Sequence, residues 1–104
     1  MTKKEIKEKD YVWRERIIKR DKKCIICGSK EYLQGAHIFS RSIRATRWNP
    51  TNGIALCRRH HIFWQPNHPV EFTWAVEKKI GKKKLKDLYE KIQGNKIQNR
   101  SNKR

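Results

Sequence analysis

Two short ligand spacings constrain this chain more than any other feature of it. Cys24 and Cys27 are separated by two residues, and so are Cys57 and His60. A gap of that size lets both side chains of a knuckle reach one ion. Together the four residues make a closed set of sulfur and nitrogen donors of the kind Zn²⁺ takes in tetrahedral structural sites, with no position left for water. The cysteine count agrees, because three is odd and a disulfide framework wants an even number. Met1 to Asp10 is charged throughout and does not read as a secretory leader. Thiolate ligands in a reducing cytoplasm are therefore expected. His61 is the alternative fourth ligand, at a gap of three residues. Neighbouring side chains on a helix point about 100° apart, so one ring of the pair goes to the zinc and the other faces elsewhere.

Such a staple suits the composition. The chain has 104 residues, of which 36% are apolar and 36% charged. A small domain with so little apolar content builds a limited core and gains from a metal cross-link. The formal charge is +17, from 27 Lys and Arg against 10 Asp and Glu. A compact state carrying that charge repels itself unless a polyanion shares it, which makes nucleic acid the expected partner. No apolar run approaches the roughly 20 residues needed to span a bilayer. A histone-like or ribosomal protein would show the same charge, so charge selects the partner class and not an activity.

The rest of the chain reads as an α+β domain. Lys3 to Asp21 predicts a helix, with Ile6, Trp13 and Ile17 at helical spacing. Gly28 allows the tight turn of the first knuckle. Tyr32 to Phe39 reads as two short extended pieces around Gln34-Gly35, a hairpin. Arg41 to Gly53 reads as an irregular loop, Ile54 to Leu56 as a strand, and Cys57 to Gln65 as a helix that Pro66 stops. A further helix starts with Asn67 or His68 at its cap and Pro69 at its first position, and ends at Gly81. Lys82 to Gln93 forms the last helix. The expected organisation is one domain, 1–93: an N-terminal helix 3–21, a zinc core 22–66 and C-terminal helices 67–93. The basic stretch 94–104 reads as a disordered tail.

The string Gly35-Ala36-His37-Ile38, the later Asn52, and Leu56-Cys57-Arg58-Arg59-His60-His61 together resemble the signature of the HNH endonucleases. The resemblance runs from about Cys24 to His61, and Arg44 to Trp48 is similar to a loop of phage-type members. It implies the ββα-metal fold, a hairpin and a helix around one divalent ion. It implies His37 as general base for a water, a task imidazole suits because its pKa lies near neutrality. It implies Asn52 as the residue that ties down the loop, and His61 as a ligand of a catalytic divalent ion, Mg²⁺ or Mn²⁺. Most members carry Asp before the base histidine, where this chain has Ala36. Gln65, Asn67 and His68 lie near enough in sequence to complete that site, and His68 is the best of them by ligand type. Arg41, Arg44, Arg47 and Arg58 crowd the same region and suit phosphate contacts, Arg44 and Arg47 above all. Trp48 and Trp64 read as core.

The functional expectation is a metal-dependent HNH endonuclease that hydrolyses DNA phosphodiester bonds with low sequence specificity. The DNA is double-stranded, the location cytoplasmic, and the setting phage genome processing or packaging. The competing expectation is a non-enzymatic zinc-ribbon nucleic-acid binder in which Ala36 marks a degenerate site.

Overall fold

A computed structural model describes the backbone of residues 1–102 and the side chains of residues 1–94. The elements in order are α1 (Lys3–Asp21), β1 (Leu33–His37), β2 (Gly53–Cys57), a π-helical turn (His60–Trp64) that runs into α2 (Gln65–Asn67), α3 (Pro69–Ile80) and α4 (Lys82–Asn102). This is a small α+β fold of four α-helices and one two-stranded sheet among the described residues. No described helix is long and apolar enough to cross a membrane.

The N-terminal helix forms where its pattern predicted. Thr2 accepts the Glu5 amide and Glu5 reaches back, a capping box, and Lys22 closes the helix in a left-handed conformation. Its buried face carries Trp13, Ile17 and Asp21. β1 pairs antiparallel with β2, from Leu33 opposite Cys57 to His37 opposite Gly53. The expected hairpin around Gln34-Gly35 is therefore not there. Both residues lie within one strand, and the sheet closes across the long loop 38–52 instead. Gly35 serves close packing rather than a turn: a Cβ there would sit 2.8 Å from the Trp13 ring.

The sheet has two different faces. Ala36, Ile54 and Leu56 pack with Cys24, Phe72 and Val76, so one face meets the knuckle and α3. Ala55 packs with Trp13 and Ile17, so the other face meets α1. Pro66 does not end the helix it was expected to end, since α2 continues to Asn67. The wide turn before it absorbs the missing donor. Gln65 N–H reaches back five residues to the His60 carbonyl, and side chains take over further carbonyls: Asn67 Nδ2 donates to Phe63 O at 2.7 Å and His68 Nδ1 to Trp64 O at 2.9 Å. His68 then stands at the cap of α3, with Pro69 following, and Gly81 closes that helix at φ 88°. α4 runs through Gly94 to Asn102, past the point where a disordered tail was expected. Lys103 and Arg104 lie outside the described residues.

Asp21 anchors α1 to the sheet. It accepts the Ala55 amide at 2.8 Å, pairs with Arg20 at 2.7 Å and lies 3.6 Å from Lys79. Burial pushes its pKa up, but Arg20, the Ala55 amide and Lys79 outweigh that and hold it below the ordinary 3.8. A carboxylate depressed on folding contributes stability above its unfolded pKa, and that contribution disappears as pH falls through the folded one. Asp21→Asn is thus expected to lower the melting temperature clearly at pH 7. The gap to the parent should narrow as the buffer is taken toward and below pH 3.8. A gap that is constant with pH would remove this account of Asp21.

Candidate functional site

The four knuckle ligands converge. Their donor atoms all lie within 4.8 Å of one another. His60 Nδ1 is 3.1 Å from Cys57 Sγ and 3.8 Å from Cys24 Sγ, and Cys27 Sγ is 3.8 Å from Cys57 Sγ. Zinc at its usual bond lengths puts S and N donors about 3.5–3.8 Å apart on a tetrahedron, so the set can hold a metal ion and its chemistry fits zinc. Burial works against the Cys24 thiolate, yet the backbone amides of Cys27, Cys57 and Ile26 outweigh it and hold the thiol below its ordinary value. The knuckle is built by local turns: Gly28 takes φ 79°, its amide closes on the Cys24 carbonyl at 2.9 Å, and Ile25 N–H joins the edge of β2 at Ala55 O.

The adjacent histidines divide. His60 turns to the thiolates, whereas His61 donates from Nδ1 to Gln34 Oε1 at 2.6 Å.

His37 ends β1, on the face that meets α1. Its ring stacks on Trp13 with centroids 3.8 Å apart and planes 5° apart. Its Nε2 lies 2.9 Å from the Arg47 carbonyl. A carbonyl only accepts, so Nε2 carries the hydrogen and Nδ1 keeps a lone pair. Burial pushes the His37 pKa below 6.5; the Arg47 carbonyl and Asp10 oppose this, while Arg41 and Arg47 add to it. His37 is therefore neutral at neutral pH, in the tautomer that takes up a proton at Nδ1.

Asn52 is fully buried and uses both ends of its amide on the loop. Oδ1 accepts Phe39 N–H at 2.8 Å, and Nδ2 donates to Phe39 O at 3.1 Å and to Thr46 O at 3.0 Å. This clamp joins the exit of β1 to the residue before Arg47. Asn52→Ala leaves these backbone groups without partners and is expected to cost about 2–4 kcal/mol, read from urea denaturation. A loss under about 1 kcal/mol would mean that the loop holds itself.

Residues 24–68 match the family model for HNH endonucleases. This segment belongs to the HNH endonuclease family. No curated protein and no solved structure gave a match.

Within the HNH segment the sequence places His, Asn and His in order, but the fold separates their chemistry. Gln34 and His37 are three apart on a strand and point to opposite faces. His61, bound to Gln34, therefore lies across β1 from His37. Ala36 shares the Gln34 face, is 0% exposed and packs among Ile54, Leu56 and Phe72. No carboxylate stands where most family members have one. His61 Nε2 then keeps a lone pair, while His68 has its Nδ1 on a helix carbonyl and its ring against Trp64. The only group of three or more His, Cys, Asp or Glu ligands among the described residues is the zinc set. Around His61, no group of three or more such ligands forms among the described residues.

The arginines also divide. Arg41, Arg44 and Arg58 are exposed, in keeping with phosphate contacts. Arg47 has a side chain only 11% exposed and forks onto Asp10 at 2.8 Å, so its charge is engaged inside the protein. Trp48 is half-buried, as core reading implied, with Lys9, Arg44 and Arg47 around its ring. Sequence reasoning missed Asp10, the stacking role of Trp13, and Gln34. Asp10 and Asp21 stand at either end of the Trp13–Ile17 stripe of α1. Acids bordering a buried helical face are a signal that could have marked both.

Proposed function

We propose that this protein is a DNA endonuclease of the HNH kind, with His37 as general base. The observation that carries the reading is the fixed tautomer of His37, whose Nε2–H is engaged by the Arg47 carbonyl at 2.9 Å so that Nδ1 can accept a proton. A water deprotonated there attacks phosphorus, and the bond from phosphorus to the leaving oxygen breaks. Asn52 keeps the loop that supplies the carbonyl in place. Exposed Arg41, Arg44 and Arg58 would meet backbone phosphates, and the +17 charge favours a polyanion. A divalent cation, Mg²⁺ or Mn²⁺, would neutralise charge on the phosphate and the leaving oxygen; His61 is this chain's own donor for it, with His68 the further one suggested by ligand type. Double-stranded DNA and phage genome processing or packaging are the setting that the resemblance to phage-type members suggests, and three cysteines placed as thiolate ligands favour a reducing cytoplasm.

A specific observation favours a second reading. Ala36 is sealed into the core and His61 lies across the strand from His37, as in a zinc-dependent nucleic-acid binder that has lost its ion site. Both readings predict binding that weakens steeply with salt. Supercoiled plasmid incubated with the zinc-loaded protein and Mg²⁺ or Mn²⁺ separates them. The endonuclease reading expects relaxed or linear product. Binding without any product under either metal would leave the binder.

A further inference from the structure

The base histidine is held by residues from α1, which lies outside the matched segment 24–68. The carbonyl that takes the His37 Nε2–H belongs to the peptide joining Arg47 to Trp48. The side chains on both sides of that peptide end on one carboxylate. Asp10 Oδ1 accepts from Arg47 Nε at 3.0 Å and from Trp48 Nε1 at 2.8 Å, and Oδ2 accepts from Arg47 Nη2 at 2.8 Å. A planar peptide pinned by both neighbouring side chains has little freedom to turn its carbonyl. One turn further along the same helix, Trp13 lies flat against the His37 ring and donates from Nε1 to Asn49 O at 2.9 Å. One face of α1 thus supports both the plane of the imidazole and the acceptor for its Nε2–H.

We propose that Asp10 is a positioning residue for His37: by gripping Arg47 and Trp48 it aims the Arg47 carbonyl at Nε2 and so keeps Nδ1 as the proton-accepting nitrogen. This rests on the reading of His37 as base. A merely neutralising role is the alternative, because Arg41 also lies 3.8 Å from Asp10. The two differ in what they demand of geometry. Neutralisation needs only the charge, whereas positioning needs the fork between Arg47 and the carboxylate.

The test is the tautomer of His37 in the zinc-loaded full chain, read from long-range ¹H–¹⁵N correlations of its ring at neutral pH. The parent should show the Nε2–H form alone. Asp10→Asn should convert the ring to a mixture of both tautomers, and so should Arg47→Lys, which keeps the charge and loses the fork. Turnover of plasmid should fall on the order of tenfold to a hundredfold in both, with KM changed less than about threefold. If both variants bind zinc and retain a pure Nε2–H ring, the proposal is overturned. The two readings fail separately: a parent that cuts no DNA, with variants that still show the tautomer change, would sink the base assignment and leave the role of Asp10 standing.

Discussion

Removing the zinc is expected to unfold the domain. The ion would join the segment after α1, through Cys24 and Cys27, to the end of β2 and the following turn, through Cys57 and His60. Cys24 and Cys57 are themselves part of the core around Ala36, Ile54 and Leu56, so releasing the knuckles opens the apolar face of the sheet. Binding energy at sites of this class is folding energy, on the order of 10 kcal/mol or more. A domain's whole stability is about 5–15 kcal/mol, and a two-stranded sheet has little independent stability. Titration with a high-affinity chelator should therefore abolish the cooperative melting transition, and added Zn²⁺ should restore it. His60→Ala should lower zinc content and melting temperature together. His61→Ala removes only a contact to Gln34 and should leave one zinc bound. A chelated protein that still melts cooperatively, or zinc lost with His61 and kept without His60, would contradict the assignment.

The cluster of four metal ligands was legible because its information is local. The spacing of each knuckle is written in consecutive residues, and the donor chemistry of Cys24, Cys27 and Cys57 needs no knowledge of the fold. The preference for His60 over His61 followed from the matching two-residue gaps and agrees with the cluster in the fold; that His61 would instead meet Gln34, reaching across from β1, was not legible. The hairpin was misplaced for a related reason. Gln34-Gly35 has the composition of a turn, but Gly35 is required by the Trp13 ring, a residue far away in sequence. Helix α1, α3 and the capping at His68 and Gly81 came directly from periodicity and from local Pro and Gly signals.

His37→Ala is expected to remove cutting while leaving fold and zinc in place. General-base catalysis contributes about 10²–10⁴-fold, and no other described imidazole is held on the α1 face of the strand with a fixed tautomer. His37 is half-buried, stacked on Trp13 and partnered by one backbone carbonyl, so truncation should cost about 1–3 kcal/mol while leaving the four knuckle ligands, none of which it touches, in place. The pH dependence of the parent follows the same chemistry. A general base acts when neutral, and burial holds the pKa of His37 below 6.5. The rate should then be level at neutral pH and fall only as acid carries the solution below that value. A rate still rising well above pH 7 would point to a different base.

What the sequence could not show at this site is which motif residues act together. His37, Asn52 and His61 are correctly ordered along the chain, yet strand alternation sends His37 and the Gln34–His61 pair to opposite faces. Arg47 was read as a phosphate ligand because a basic loop looks uniform in sequence; in the fold Asp10 takes it. Such pairings between distant segments are set by tertiary packing. Asn52 was singled out by the motif, and in the fold its buried amide bridges Phe39 and Thr46.

The most direct measurement compares the parent and His37→Ala, at equal zinc content, for relaxation of supercoiled plasmid in Mg²⁺ or Mn²⁺ and for binding to the same DNA. The account predicts equal binding, nicking by the parent, and a loss of at least about a hundredfold in the variant. Equal nicking by the two proteins would contradict His37 as the base, and intact plasmid with both, despite binding, would contradict the endonuclease.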